Sequence, residues 1–244
     1  MSIKKDMANV PVPNTPFVFS AIRPEKLTES AYSLVSIVID ATSSVSSFEK
    51  DLLKALKSTV DACRSSPRAE NLLIRVTTFN ESEYEIHGFK PLNEINTDDY
   101  VSIDPQGMTA LYDATASAIG ATLTLSKDLV YNQEMDVNGL VVVITDGEDN
   151  RSRSASPKDI KRLIEAAAQE EIIESLNTIL IGVNSDYCGP ALKDFQNKSG
   201  IAQYVDAGDA SSKNLAKVAD FVSRSISSTS VSLGTGGPSQ ALTF

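Results

Sequence analysis

Apolar residues occur as short, predominantly apolar runs, separated by stretches in which they recur every third or fourth position. Residues 33–39, 72–79, 140–144 and 176–183 are the runs, and they read as buried strands. The run 140–144 has no polar alternation, so both faces of its sheet are covered. Residues 84–88 predict a short strand at an edge, and 202–205 a final one. Helical spacing appears in Phe48, Leu52, Leu56, Val60 and Cys63, and in Tyr112, Ala116, Ile119 and Leu123. It returns in Ile160, Leu163, Ile164 and Ala167, in Leu192 and Phe195, and in Leu215, Val218, Ala219, Val222 and Ile226. Ser156 as N-cap with Pro157 at the first position marks the start of the third of these helices. Strands alternating with helices predict an α/β fold. Its central sheet is doubly wound and mostly parallel, with helices on both faces and one short antiparallel edge strand.

The ends differ from this pattern. Residues 1–30 contain Pro11, Pro13, Pro16 and Pro24 without periodicity, which predicts an extended N-terminal arm. The arm carries Phe17, Val18, Phe19 and Ile22, which suit packing along the domain or against a neighbour. Residues 227–244 are rich in Ser, Thr and Gly, the composition of a flexible tail, and end in Ala241-Leu242-Thr243-Phe244. The domain between them spans residues 31–226.

The 244 residues suffice for one sizeable core, and 41% hydrophobic with 22% charged residues is a globular composition. A net charge of −10 disfavours nucleic acid and anionic membranes as partners. Cys63 and Cys188 fall in helical segments and read as small buried thiols. The start, Met1 to Asp6, has no apolar run behind it, and no stretch is long enough to span a membrane, so a soluble cytoplasmic protein is expected.

Three separated segments carry the candidate chemistry. Asp40-Ala41-Thr42-Ser43-Ser44 follows the first run. Gly107-Met108-Thr109-Ala110 opens a helix. Thr145-Asp146-Gly147-Glu148-Asp149-Asn150 follows the central run. In open α/β sheets, strand carboxyl ends meet at the ligand crevice, so Asp40, Thr42, Ser44, Thr109 and Asp146 are placed to converge. Carboxylates and hydroxyls without His or Cys suit a hard divalent cation. Two carboxylates with water favour Mg²⁺ or Mn²⁺ over Ca²⁺, which takes more carboxylate and carbonyl oxygen. The competing reading takes these residues as ordinary turn and capping groups.

Asp-x-Thr-x-Ser, a distant Thr and a later Asp resemble the metal-ion-dependent adhesion site of von Willebrand factor A domains, over residues 31–226. Thr42 departs from the family's usual Ser but keeps the hydroxyl. The resemblance implies that Thr42 and Ser44 are hydroxyl ligands and that Thr109 engages when partner is bound. Asp40 and Asp146 would bind directly or through water, and an Asp or Glu of a protein partner would complete the shell. Asp113 reads as a helix N-terminal charge or a hydrogen-bonding neighbour of the site. Glu148, Asp149 and the basic run Arg151-Ser152-Arg153-Ser154 read as solvated loop. His87, the sole histidine, reads as a surface or half-buried residue.

Three functions follow. The first is a non-enzymatic, metal-dependent protein-binding module. The second is a self-assembling scaffold that uses the arms and the metal site between identical subunits. The third is a metal-dependent phosphohydrolase, and the sequence disfavours it. It has no Gly-x-x-x-x-Gly-Lys-Ser/Thr loop and no Gly-x-Ser-x-Gly elbow, Thr42 stands where a phosphatase acid would be, and no general base is evident.

Overall fold

The computed structural model describes residues 6–170, 172–233 and 242–244. Among the described residues eight strands form one sheet: β1 (Met7–Pro11), β2 (Val18–Ile22), β3 (Ala31–Asp40), β4 (Leu72–Phe79), β5 (Glu83–Pro91), β6 (Asp136–Thr145), β7 (Ser175–Gly182) and β8 (Gln203–Asp206). Their spatial order is β1-β2-β5-β4-β3-β6-β7-β8. The β4–β3–β6–β7–β8 set is parallel throughout, whereas β1–β2 and β4–β5 are antiparallel. The sheet is therefore mostly parallel with an antiparallel pair at one edge, as the hydrophobic runs imply.

All ten residues of β3 are buried, which identifies it as the central strand. From β3 the chain builds outward through β4 and β5, then returns to the other side of β3 for β6, β7 and β8. Strand order reverses at the β3–β6 junction, so the crevice of this sheet opens beyond Asp40 and Thr145.

Helices α1 (Glu49–Cys63) and α5 (Ser212–Ser232) cover one face, packing on Val35, Ile37 and Ile39 of β3. Helices α2 (Leu111–Gln133), α3 (Pro157–Gln169) and α4 (Gly189–Ser199) cover the other, over Leu34 and Val38. The alternate residues of β3 thus feed two separate cores, which is why apolar residues fall on both faces of the strand instead of alternating with polar ones. Ser156 and Pro157 start α3 as expected. Ser156 and Asp159 form a reciprocal capping box there.

The N-terminal segment departs from the expected extended arm. Residues 7–22 form a hairpin whose second strand runs parallel to β5, through Ala21 opposite Phe89. Phe19 and Ile22 are buried in the α2-side core. Gly88 makes this docking possible, because a Cβ there would lie 2.0 Å from the Ser20 carbonyl oxygen. Glu85 then accepts from the Ser20 backbone N–H at 3.1 Å and from its hydroxyl at 2.7 Å. Prolines and missing periodicity conceal a hairpin whose partner lies more than sixty residues away. For the same reason the strand at 84–88, expected at the edge, lies inside the sheet.

The closing helix also outruns its apolar stripe, ending at Ser232 rather than 226. Residues 234–241 of the expected tail, and residues 1–5, lie outside the described residues. Beyond 241 the chain contacts its own domain: the Phe244 ring meets Phe221 edge-on at 5.6 Å, and the Leu242 carbonyl accepts from Gln203 at 2.9 Å. Cys63 is buried, but Cys188 is half-buried and precedes α4 as its N-cap, which corrects the expectation of two buried helical thiols. No helix of the described residues is long and apolar enough to cross a membrane.

Candidate metal centre

Asp40 ends β3, and its Oδ1 accepts from the Thr42 backbone N–H at 2.8 Å. This is an Asx-type turn, and it reverses the chain at the strand end. A 3₁₀ turn over Ser43–Ser47 follows. Together they bring the Thr42 and Ser44 hydroxyls to 3.0 Å. Ser44 donates to Asp146 Oδ1 at 2.8 Å, so its single proton is used there and the Thr42 hydroxyl must donate to Ser44. Four of the five residues expected to meet, Asp40, Thr42, Ser44 and Asp146, therefore form one continuous chain of contacts.

Thr109, the fifth, arrives from the α2 side. Gly107, at φ +75°, turns the preceding loop, and its carbonyl accepts from the Ser43 hydroxyl at 3.3 Å. The Thr109 hydroxyl lies 3.5 Å from where a Cβ on Gly147 would stand, next to Asp146. Ala110, the N-cap of α2, has no side chain to satisfy the helix's first N–H groups. The loop after β6 supplies the acceptors instead. Asn150 accepts from Thr109 N at 2.9 Å, Asp149 from Tyr112 N at 3.2 Å, and Ser152 from Asp113 N at 3.0 Å. Asp149 is therefore a helix cap rather than a solvated charge. Arg151 pairs with Glu81 at 3.3 Å.

Sequence reasoning missed Thr145. Its buried hydroxyl donates to Asp40 Oδ2 at 2.6 Å. The signal was present, since Thr145 is the one polar residue closing an otherwise apolar run. Asn150 stood in the third segment without a role. Its signal is weaker, because a capping contact to a helix forty residues earlier leaves no local pattern.

The electrostatics of the pair are unbalanced. Burial raises the Asp40 carboxyl above its ordinary value, partly offset by the Thr145 and Thr42 hydrogen bonds. Burial also pushes Asp146 up to about 6, with the Asp40 charge adding to it and the Ser44 bond opposing it. Among the described residues no Lys, Arg or His pairs with either carboxylate. Nor do three His, Cys, Asp or Glu side chains cluster as a metal group. The donor set is two carboxylates and three hydroxyls. That fits an oxygen-seeking divalent ion retaining water, because such an ion supplies the positive charge the protein lacks here.

His87 takes no part. It is half-buried opposite Val76 in the body of the sheet, its Nδ1–H donating to the Gly88 carbonyl at 2.9 Å and its Nε2 accepting from the Tyr100 hydroxyl at 2.7 Å. Burial lowers its pKa to about 4, so the ring is neutral at pH 7. Cys188 donates its thiol proton to the Asp146 carbonyl oxygen at 3.3 Å, on the β7 side of the crevice.

No protein-family model matches the chain, and neither does any curated protein. Solved structures do match. The minor pilin PilB of Streptococcus sanguinis is 16% identical with TM-score 0.57, over 84% of this chain and 64% of that one. The proximal thread matrix protein 1 of the mussel byssus, with a zinc-occupied MIDAS motif, is 19% identical with TM-score 0.52, over 81% of this chain and 46% of that one. The vWF domain of the type V pilus tip protein Mfa5 of Porphyromonas gingivalis is 12% identical with TM-score 0.52, over 82% of this chain and 96% of that one. The chain thus spans less than two thirds of the pilin and of the matrix protein. At these identities the likeness concerns the fold alone, a mostly parallel α/β sheet with helices on both faces.

Proposed function

We propose that this chain is a non-enzymatic, metal-dependent protein-recognition module. Mg²⁺ or Mn²⁺ is held by Asp40, Thr42, Ser44, Thr109 and Asp146, directly or through water, and a partner's Asp or Glu carboxylate completes the shell. The observation that carries this reading is the meeting of Asp40, Ser44 and Asp146 at a strand-order reversal, with no cationic side chain among the described residues to balance them. A hydroxyl-rich shell leaves the ion electrophilic, so it gains from one more anionic oxygen. The structural neighbours, a minor pilin, a pilus tip protein and a matrix protein, support a recognition role rather than catalysis. The sole histidine is neutral and hydrogen-bonded within the sheet, so it offers no general base at the crevice.

The alternative, in which an identical neighbour supplies the carboxylate, draws on extended arms at both ends. Residues 7–22 and Leu242 to Phe244 engage their own domain, which removes that support. A separate protein is the better reading.

Capture of partners on the immobilised chain tests this. Proteins held in MgCl₂ should elute with EDTA and should be absent from Asp40→Ala and Thr109→Ala columns. A set retained equally under all four conditions rejects the proposal. Light scattering with and without Mg²⁺ checks the identical-neighbour alternative, which predicts a metal-dependent rise in mass.

A further inference from the structure

Asp113 sits on the first turn of α2, one helical turn beyond Thr109, and does not contact the carboxylate pair. Its carboxylate is instead saturated by three consecutive backbone N–H groups of the loop after β6. Oδ2 accepts from Arg153 at 2.9 Å, and Oδ1 accepts from Ser154 at 3.0 Å and from Ala155 at 2.7 Å. The same loop is tied back to α2 through Asn150 and Asp149. The Thr109 carbonyl accepts from the Asn150 and Arg151 N–H groups at 3.0 and 3.1 Å. Asp146 begins this loop and Thr109 ends the loop before α2.

We infer that Asp113 is a positioning residue of the metal centre, clasping the 146–156 loop to α2 so that Thr109 and Asp146 keep a fixed relation before any ion arrives. This rests on the metal-dependent reading proposed above. The physical ground is the charge-assisted character of the three bonds. A carboxylate accepting several backbone N–H groups is among the stronger local restraints available to a loop, and it is one that a neutral side chain does not reproduce. Orienting groups just outside a metal's ligands govern affinity nearly as much as the ligands do. Without Asp113 the loop between Asp149 and Ser156 loses its central anchor, and the ion has to order Asp146 against Thr109 as it binds.

Substitution gives a graded test. Asp113→Asn keeps one carbonyl oxygen but turns an N–H₂ group toward a backbone donor, and Asp113→Ala removes every acceptor. Mn²⁺ affinity is measured by electron paramagnetic resonance titration on the wild type and both variants, alongside amide hydrogen exchange and the thermal midpoint in EDTA. The clasp predicts that Mn²⁺ affinity falls about tenfold for Asp113→Ala and less for Asp113→Asn. It also predicts that the Arg153, Ser154 and Ala155 amides lose exchange protection. A residue that merely favours the helix N-terminus would lower the midpoint in EDTA and leave Mn²⁺ affinity unchanged, which overturns the inference. A wild-type protein that binds no Mn²⁺ defeats the metal reading itself, and this inference with it. Equal binding by wild type and both variants defeats the inference alone.

Discussion

Ser44 and Asp146 stand 102 residues apart in the chain, yet the serine hydroxyl donates to the aspartate Oδ1 at 2.8 Å. The contact joins the loop after β3 to the loop after β6, across the junction where strand order reverses. It also holds the half-buried Asp146 beside the buried carboxylate of Asp40, and that arrangement has measurable consequences.

Asp40→Ala should leave the fold intact while abolishing the response to metal. The carboxylate it removes is costly to bury, and the Thr145 hydroxyl keeps the Gly147 carbonyl, 3.1 Å away, as an acceptor. In EDTA the variant's stability should stay within about 1 kcal/mol of wild type, or exceed it. The wild type should gain about 2.7 kcal/mol with Mg²⁺ at a hundred times its Kd, and the variant nothing. Thermal unfolding with circular dichroism, with and without Mg²⁺, reads both results.

The metal response should fade on acidification. In the metal-free fold Asp146 is raised to about 6, above its unfolded value, so its ionisation costs stability above that pH and the cost is relieved as pH falls through 6. Metal binding needs the ionised form, so a proton competes with it below 6. The Mg²⁺ and EDTA unfolding midpoints should lie well apart at pH 7.5 and converge by pH 5. Midpoints equally separated at both values would contradict the assignment of Asp146 as a ligand.

Arg75 should be essential for folding, though it lies outside the metal centre. It is fully buried on β4, with Glu85 at 2.8 Å and Glu83 at 3.1 Å, and Glu83 in turn accepts from Ser117 of α2. Glu85 also holds β2 through Ser20, so the group ties the N-terminal hairpin and α2 to one strand. Removing one partner of a buried ion pair leaves the others uncompensated, so Arg75→Ala should cost about 3–5 kcal/mol in urea unfolding. A loss below 1 kcal/mol would show that the glutamates are served equally well by water.

What was legible in the sequence follows from range. Strands β3, β4, β6 and β7 are buried on both faces, so hydrophobic runs alone locate them. Four of the five site residues lie directly after two of these runs. The N-terminal hairpin was not legible, because its place depends on the missing side chain of Gly88 and on Glu85 reaching Ser20. Neither leaves a periodic trace. The same is true of the capping exchange between α2 and the loop after β6. There Asp113, Asp149 and Asn150 look like ordinary loop and helix-start residues until the two segments lie side by side.

Anomalous diffraction from crystals grown with Mn²⁺ locates the ion outright. One strong anomalous peak per chain is expected, within coordination distance of Ser44 and at least one of Asp40 and Asp146, with Thr42 and Thr109 in reach directly or through water. A peak elsewhere, or none while the Thr42–Ser44–Asp146 chain of contacts stays as it is, would contradict the metal-dependent reading.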